Sequence, residues 1–211
     1  MAQAPSSNHY ITSTMTLFGQ GHVSTTPDLA VIRLGVQTTG SNLSQIQPEN
    51  AQITQRVIQA LLEANITDIR TIQYTIDKVY EYEDGRQIDK GYAVQNILEI
   101  RTNQIEQVGS IVDTAVNMGA NVVSSISFVL SEPELYYKQA LNLAVEDAIQ
   151  KAKAISATLH VRLNPIPIRI IEGSTLPAPM QKLQFDVATT PIISGDISIE
   201  AFITADFLYT K

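Results

Sequence analysis

Cysteine is absent from the 211-residue chain, and so is tryptophan. Without cysteine the chain has no disulfide, no thiolate nucleophile and no cysteine-ligated zinc site. The lack of tryptophan disfavours a site that stacks on sugars or cages a cationic ligand. These absences exclude cysteine-dependent enzymes and proteins with a cysteine-ligated zinc, but they leave the redox compartment open.

Positive charge is also in short supply. The chain has 14 Lys and Arg residues against 21 Asp and Glu, which gives a net charge of -7. A nucleic-acid-binding protein needs a basic surface, because neutralising phosphates supplies most of its non-specific affinity. The scattered basic residues therefore predict neither nucleic acid nor an anionic membrane surface as a partner.

Long apolar runs are missing as well. No run reaches the roughly 18 apolar residues from which a membrane-spanning helix is inferred. Residues 1–15 lack the basic and apolar regions of a signal peptide. We therefore expect no transmembrane segment and a cytoplasmic location by default, or a periplasmic or secreted one if the chain is a processed form.

Periodic hydrophobicity predicts the element order β-β-α-β-β-α-β-α-β-β, which fits a sheet with about three helices packed on one face. Residues 1–10 read as a flexible tail. Residues 11–211 read as one domain, or as two closely packed sub-domains. The predicted elements are strands at 11–18 and 29–38, a helix at 47–64, a hairpin at 68–102, a helix ending at Gly119, a strand at 122–130, a helix at 131–159, a short strand at 164–172, a long loop at 173–195 and a final strand at 197–209.

The stretch Gly19-Gln20-Gly21 could be a phosphate-binding loop or a bend between strands. A dinucleotide fingerprint needs a third glycine and a helix that begins at the loop. Here Pro27 and Asp28 follow, and then another strand. The sequence therefore predicts a bend or bulge, and no nucleotide cofactor.

The hairpin carries the chain's largest group of aromatic residues. Asp84-Gly85 is a strong two-residue turn signal. Alternation places five large residues on one face of the first arm, and core packing is the more common role for such tyrosines: Ile72, Tyr74, Ile76, Tyr80 and Tyr82. The acidic tip, with Glu81, Glu83, Asp84 and Asp89, is interpreted as charge that prevents edge pairing rather than as a metal site.

The long helix has two predicted features. Ser131 and Glu134 have the spacing of a capping box. The buried face is predicted to be an apolar stripe of Leu141, Val145, Ala148, Ala152, Ile155 and Leu159. Asp147 and Lys151 are expected to pair on the exposed face.

The ordered set of motifs resembles the SIMPL-like family, whose bacterial members include periplasmic immunogenic proteins. The resemblance runs from about residue 15 to the end of the chain. It is carried by Gly19-Gln20-Gly21 before Pro27-Asp28, by Gly91-Tyr92-Ala93-Val94-Gln95-Asn96, by Gly119-Ala120-Asn121, by the alanines of the long helix, and by Gly195-Asp196 before the last strand. It implies an α+β fold of largely antiparallel sheet with covering helices, self-assembly, and links to envelope and oxidative-stress physiology, but no reaction.

No catalytic or metal-binding constellation emerges from the motifs. His9, His22 and His160 lack the spacing of metal ligands, although His22 near Asp28 could form an acid–base pair. Ser124, Ser125 and Ser127 lack a nucleophile elbow and fit the polar face of a strand. We therefore predict a protein that is not an enzyme, with no catalytic, cofactor-binding or metal-binding residues.

The sequence favours a self-assembling protein, with a homo-oligomer as its functional state. The long alternating end strands are expected to leave edges that need partners. Candidate contacts are the apolar residues of the loop and two tyrosines at the start of the long helix: Leu176, Met180, Leu183, Phe185, Tyr136 and Tyr137. The alternatives are a module that binds a small molecule or peptide with loop 173–195, and an enzyme whose site is assembled only by folding.

Overall fold

The computed structural model describes residues 12–83, 85–173, 192 and 194–211. Within these residues it confirms the α+β class, with three α-helices and antiparallel sheets. The strands are β1 (Thr12–Thr25), β2 (Leu29–Gly40), β3 (Asp68–Glu83), β4 (Arg86–Thr102), β5 (Val122–Val129), β6 (Arg162–Leu163), β7 (Arg169–Glu172) and β8 (Ile197–Thr210). The helices are α1 (Leu43–Glu63), α2 (Val108–Asn117) and α3 (Pro133–Leu159), with a 3₁₀ turn at Ile105–Gln107.

The chain divides into two compact units. The first comprises the described parts of Met1–Thr25, Glu132–Met180 and Asp196–Lys211. The second comprises Thr26–Ser131 with the described parts of Gln181–Gly195. Each unit has its own four-stranded sheet and its own hydrophobic core.

The sheet of the second unit has the strand order β3-β4-β2-β5, with every neighbouring pair antiparallel. The alternation that predicted β2 is confirmed, because Ala30, Ile32, Leu34 and Val36 are all buried. They pack with apolar residues of α1 and α2, including Val57 and Val108. One face of this sheet therefore forms the core beneath the two helices.

Helix α1 begins one turn earlier than predicted. Pro48 was expected in the first turn, but the helix starts at Leu43, and the side chain of Asn42 accepts a hydrogen bond from the Ser44 amide at 3.0 Å. This cap fixes the first turn before proline is reached. The predicted end is confirmed, since Asn65 adopts the left-handed φ of 61° that often ends a helix.

In the first unit, β1 and β8 pair along their full length, from Thr12 opposite Thr210 to Thr25 opposite Ile197. The predicted bend at Gly19 and Gly21 is wrong, because β1 runs straight through both residues. A Cβ atom on Gly19 would overlap the main-chain oxygen of Ala144, and one on Gly21 would overlap that of Ala140. These glycines therefore let helix α3 lie against the strand at backbone contact distance.

The same close approach explains the buried face of α3. The predicted stripe is wrong in part, because Ile155 and Leu159 are exposed. Ala148 and Ala152 are buried as predicted, and the buried line repeats every four residues: Ala140, Ala144, Ala148, Ala152 and Ser156. Only small side chains fit where the helix meets glycine on the strand, so larger residues lie beside this line or in solvent.

The capping box predicted at Ser131 is also wrong. The N-cap of α3 is Glu132, which makes no side-chain cap, and Pro133 opens the helix. The amide and hydroxyl of Ser131 instead donate to the carboxylate of Asp28, both at 2.6 Å. These bonds lower the pKa of Asp28, with the hydroxyl bond as the largest cause.

His160, the residue that follows the end of α3, provides a stability prediction. His160 holds a left-handed φ of 51°, a conformation that disfavours any side chain with a Cβ atom. Replacing it with glycine, His160→Gly, should raise the free energy of unfolding by about 1 kcal/mol. Urea denaturation would measure this change, and an unchanged or lower stability would contradict it.

Candidate interaction surface

Strand β3 is an edge strand, and β4 is its one strand partner among the described residues. It is 16 residues long, well above the usual strand length. An edge strand presents unpaired backbone N–H and C=O groups on its outer side. This edge is therefore the longest site for strand addition that the described part of the second unit offers.

The five large apolar and aromatic residues of β3, here called the hairpin face, are exposed. The interpretation of the tyrosines as core residues is therefore wrong for this strand. The exposed fractions are 46% for Ile72, 48% for Tyr74, 39% for Ile76, 45% for Tyr80 and 72% for Tyr82. Residues of this size together expose on the order of 500 Å², and patches of that size commonly mark interaction sites.

The helix layer explains why the hairpin face is uncovered. Helix α1 packs on β2 and β4, where it buries Val36 and Val94. The buried side chain of Asn50 fixes this placement by donating to the carbonyls of Val36 and Val94, each at 3.0 Å. Because α1 is held over the two inner strands, the edge strand projects beyond it.

Two irregularities divide β3 into segments. Thr71 and Gln73 face consecutive residues of β4, so Ile72 is an extra residue in a bulge. A second shift falls between Val79 and Tyr80. The segment Gln73–Val79 between them pairs regularly with β4 and forms the straight part of the edge.

Lysines neutralise much of the acidic hairpin end. Lys78 Nζ lies 2.9 Å from a carboxylate oxygen of Asp89, and Lys90 Nζ lies 2.8 Å from one of Glu81. The hydrogen bond to Asp89 raises the pKa of Lys78, and the same bond lowers the pKa of Asp89. Lys78 also lies over the rings of Tyr80 and Tyr92, at 5.8 and 5.5 Å from their centroids.

The edges of the other sheet differ from β3. The prediction that the end strands leave unpaired edges is wrong for β8, which pairs with β1 on one side and with β6 and β7 on the other. On the outer edge of β1, the Gln20 amide donates to Asp147 and the Phe18 carbonyl accepts from Lys151, each at 2.9 Å. Asp147 and Lys151 thus occupy groups that a further strand would use.

The interface residues predicted from sequence fall in two places. Leu176, Met180, Leu183 and Phe185 lie outside the described residues, as does most of loop 173–195. Tyr136 and Tyr137 are half-buried on α3. The hydroxyl of Tyr137 donates to Glu172 on β7 at 2.6 Å, which raises the pKa of Tyr137, so its polar end is already used within the first unit.

The histidine candidates do not assemble a catalytic group. The suggested partner of His22, Asp28, is bound by Ser131, whereas the Nδ1 atom of His22 lies 3.1 Å from Ser198 Oγ and 3.9 Å from a carboxylate oxygen of Glu200. Both contacts fall on one ring nitrogen, while a Ser-His-acid triad uses the two nitrogens separately. His160 ends a helix, and His9 lies outside the described residues.

Sequence reasoning missed a buried carboxylate on β4. Glu99 is 8% exposed, and its side chain accepts from Arg33 Nη2 at 2.9 Å and from Arg101 Nε at 3.1 Å. The hydrogen bonds from Arg33, then those from Arg101, hold the pKa of Glu99 below its ordinary value of 4.5. The register that places Arg33 opposite Glu99 was the one signal that could have revealed the cluster.

This cluster predicts acid sensitivity. Because the pKa of Glu99 is lower in the folded than in the unfolded protein, its stabilisation is full above the unfolded-state pKa and is lost as the pH falls through the folded-state pKa. Glu99→Gln should therefore reduce the unfolding free energy near neutral pH, and the difference from wild type should shrink between about pH 5 and about pH 3. Urea midpoints measured across this range test the prediction, and a difference independent of pH would contradict it.

Two further properties hold for the described residues. They contain no group of three or more His, Cys, Asp or Glu side chains arranged to hold a metal ion. Their helices include none with the length and apolar character needed to cross a membrane.

Comparison with known proteins places the chain in a family. Residues 15–207 match the SIMPL family, described as a protein of unknown function (DUF541). The uncharacterized protein YggE of Escherichia coli K12 is 27% identical over 187 residues, which cover 86% of this chain and 73% of YggE. The 26 kDa periplasmic immunogenic protein of Brucella melitensis is 29% identical over 169 residues, which cover 77% of this chain and 67% of the relative. Because the match covers most of the chain, the chain belongs to the SIMPL family.

Proposed function

We propose that the chain functions as a non-enzymatic, self-assembling protein whose active form is a homo-oligomer. The observation that carries the proposal is the hairpin face on β3, which leaves large apolar side chains and a strand edge exposed together. A surface that combines both features is suited to strand addition, in which backbone hydrogen bonds and alternating side chains bind jointly.

The setting of this role is inferred from relatives. The Brucella relative is named as a periplasmic protein, which supports a periplasmic location for this chain. The family resemblance adds envelope and oxidative-stress physiology as the context. Assembly would then supply a scaffold in that compartment rather than a reaction.

The alternative role, binding of a small molecule or peptide by loop 173–195, remains a prediction, because most of that loop lies outside the described residues. The two roles differ in the variable that controls them. Self-assembly depends on protein concentration, whereas a binding module depends on its ligand. Deleting the loop should weaken assembly if its apolar residues contribute contacts.

Light scattering over a dilution series tests the proposal. The monomer has a mass of 23.1 kDa. We expect a discrete multiple of this mass, with dissociation into single chains only at the lowest concentrations. A mass of one chain at every concentration would overturn self-assembly and favour the binding module.

A further inference from the structure

We propose that two copies of the chain join by antiparallel pairing of their β3 strands, with Ile76 of each copy opposite Ile76 of the other. This inference rests on the proposed self-assembly and names the surface and register that carry it. The sheets of the two second units would then become one continuous sheet, and the hairpin faces would lie side by side.

The regular part of β3 is symmetric about Ile76. The segment Gln73–Val79 is bounded by the bulge at Ile72 on one side and by the shift before Tyr80 on the other. Ile76 is its central residue. A two-fold axis at Ile76 therefore pairs the straight segment with itself and keeps both irregularities at the ends of the pairing.

Charge disfavours two of the neighbouring registers. Directly opposed residues in an antiparallel pair lie on the same face of the sheet. A two-fold axis between two β3 strands therefore places one residue opposite its own copy, and each axis is named here by that residue. An axis at Tyr74 would oppose Arg70 and Lys78, while an axis at Asp77 would oppose two aspartates. Like charges directly opposed are unfavourable.

The register centred on Ile76 instead matches complementary side chains. Ile76 meets Ile76, and Tyr74 meets Lys78 of the second copy, where a cation can lie against an aromatic ring. An axis at Thr75 avoids like charges but opposes Lys78 and Ile72, which gives no such pair. The axis at Ile76 is thus better matched than the axes at Tyr74, Thr75 and Asp77, and it lies at the centre of the straight segment.

A lysine on an edge strand normally opposes pairing, because its charge cannot be desolvated easily. Here Lys78 already has a carboxylate partner at 2.9 Å and lies near two tyrosine rings. The side chain is therefore held over the hairpin face by groups of its own chain. The edge strand β1 differs, since Asp147 and Lys151 bond its outer backbone groups directly.

Single-cysteine variants test this register, because the natural chain contains no cysteine. Directly opposed Cα atoms in an antiparallel pair lie about 4.5 or 5.5 Å apart, which a disulfide can span. Ile76→Cys should therefore form disulfide-linked dimers in oxidised glutathione. The matched control is Tyr82→Cys, whose native residue is more exposed, at 72% against 39%, but lies about 40 Å from its counterpart in this register.

We expect Ile76→Cys to cross-link about tenfold faster than Tyr82→Cys or more, because pairing raises the local thiol concentration at the axis. Equal rates, or faster linkage of Tyr82→Cys, in a protein that light scattering finds oligomeric would overturn the register and leave self-assembly standing. A protein that is monomeric throughout would overturn both. If Ile76→Cys fails to fold, a mixture of Tyr74→Cys and Lys78→Cys chains should form the mixed dimer in preference to either self-linked dimer, and the absence of that preference would refute the register.

Discussion

Replacing Gly21 with valine should destabilise the first unit by more than about 3 kcal/mol. Even a single Cβ atom at this position would overlap the main-chain oxygen of Ala140 and crowd the Ala144 amide nitrogen. Main-chain atoms of a helix cannot rotate away as a side chain can. The helix and strand must therefore separate, which opens the packing around the buried alanines of α3. Thermal and urea unfolding of Gly21→Val would measure the loss.

The matched control is Gln20→Val, at the neighbouring position of the same strand. Gln20 is exposed, and its contact with α3 uses the backbone amide, which the substitution keeps. Valine is also well suited to a strand. A Gln20→Val variant close to wild-type stability, beside a strongly destabilised Gly21→Val variant, would confirm the close-approach role. Similar stability of both variants would refute it.

Replacing Ile76 with lysine should weaken self-association about a hundredfold, equivalent to about 3 kcal/mol. The register proposed above brings the two copies of residue 76 together, so one substitution places two like charges in direct opposition and removes an apolar contact. Ile76 is 39% exposed, so the folded monomer should tolerate the change. The dissociation constant from sedimentation or light scattering provides the measurement.

Ile166→Lys is the matched control for this prediction. Ile166 is 71% exposed and belongs to the first unit, so its replacement adds the same charge to the chain on a surface outside β3. The control should retain the wild-type dissociation constant. Equal weakening by both variants would mean that net charge, rather than the β3 edge, governs association. Circular dichroism would verify that both variants remain folded.

Local signals predicted much of the fold. The alternation from Ile197 to Tyr209 identified β8, and its inward-facing residues are buried except for Tyr209, which is half-buried. Asp84-Gly85 identified the hairpin turn, which the pairing of Glu83 with Arg86 confirms. The helix predicted to end at Gly119 ends at Asn117, and Gly119 follows it with a positive φ of 109°. Each of these features depends on residues close in sequence, so the pattern alone contains the information.

The wrong predictions concern contacts between distant segments. Gly19 and Gly21 have the same local signature whether a strand bends or a helix lies against it, and only the position of α3 decides between the two. The sequence position of Ser131 suits a cap of α3, but its amide and hydroxyl donate to the carboxylate of Asp28, which is distant in sequence. A local pattern cannot rank such competing partners.

The sequence predicted which residues share the hairpin face, but not that this face is exposed. Alternation grouped Tyr74 and Ile76 correctly, but it could not determine whether a helix covers that group. The answer depends on Asn50, whose two hydrogen bonds hold α1 over the inner strands. The cluster at Glu99 was likewise hidden, since it requires the register between β2 and β4.

Amide hydrogen exchange on β3 can show whether this strand forms the interface between copies. Wild-type protein would be compared at a concentration where it is associated and at one where it is dissociated, as established by light scattering. Pairing through β3 predicts slower exchange at high concentration for outward-facing amides in Gln73–Val79, with no change along the other edge of that sheet, β5. Association without slower exchange in this segment would refute β3 pairing and place the interface on another surface.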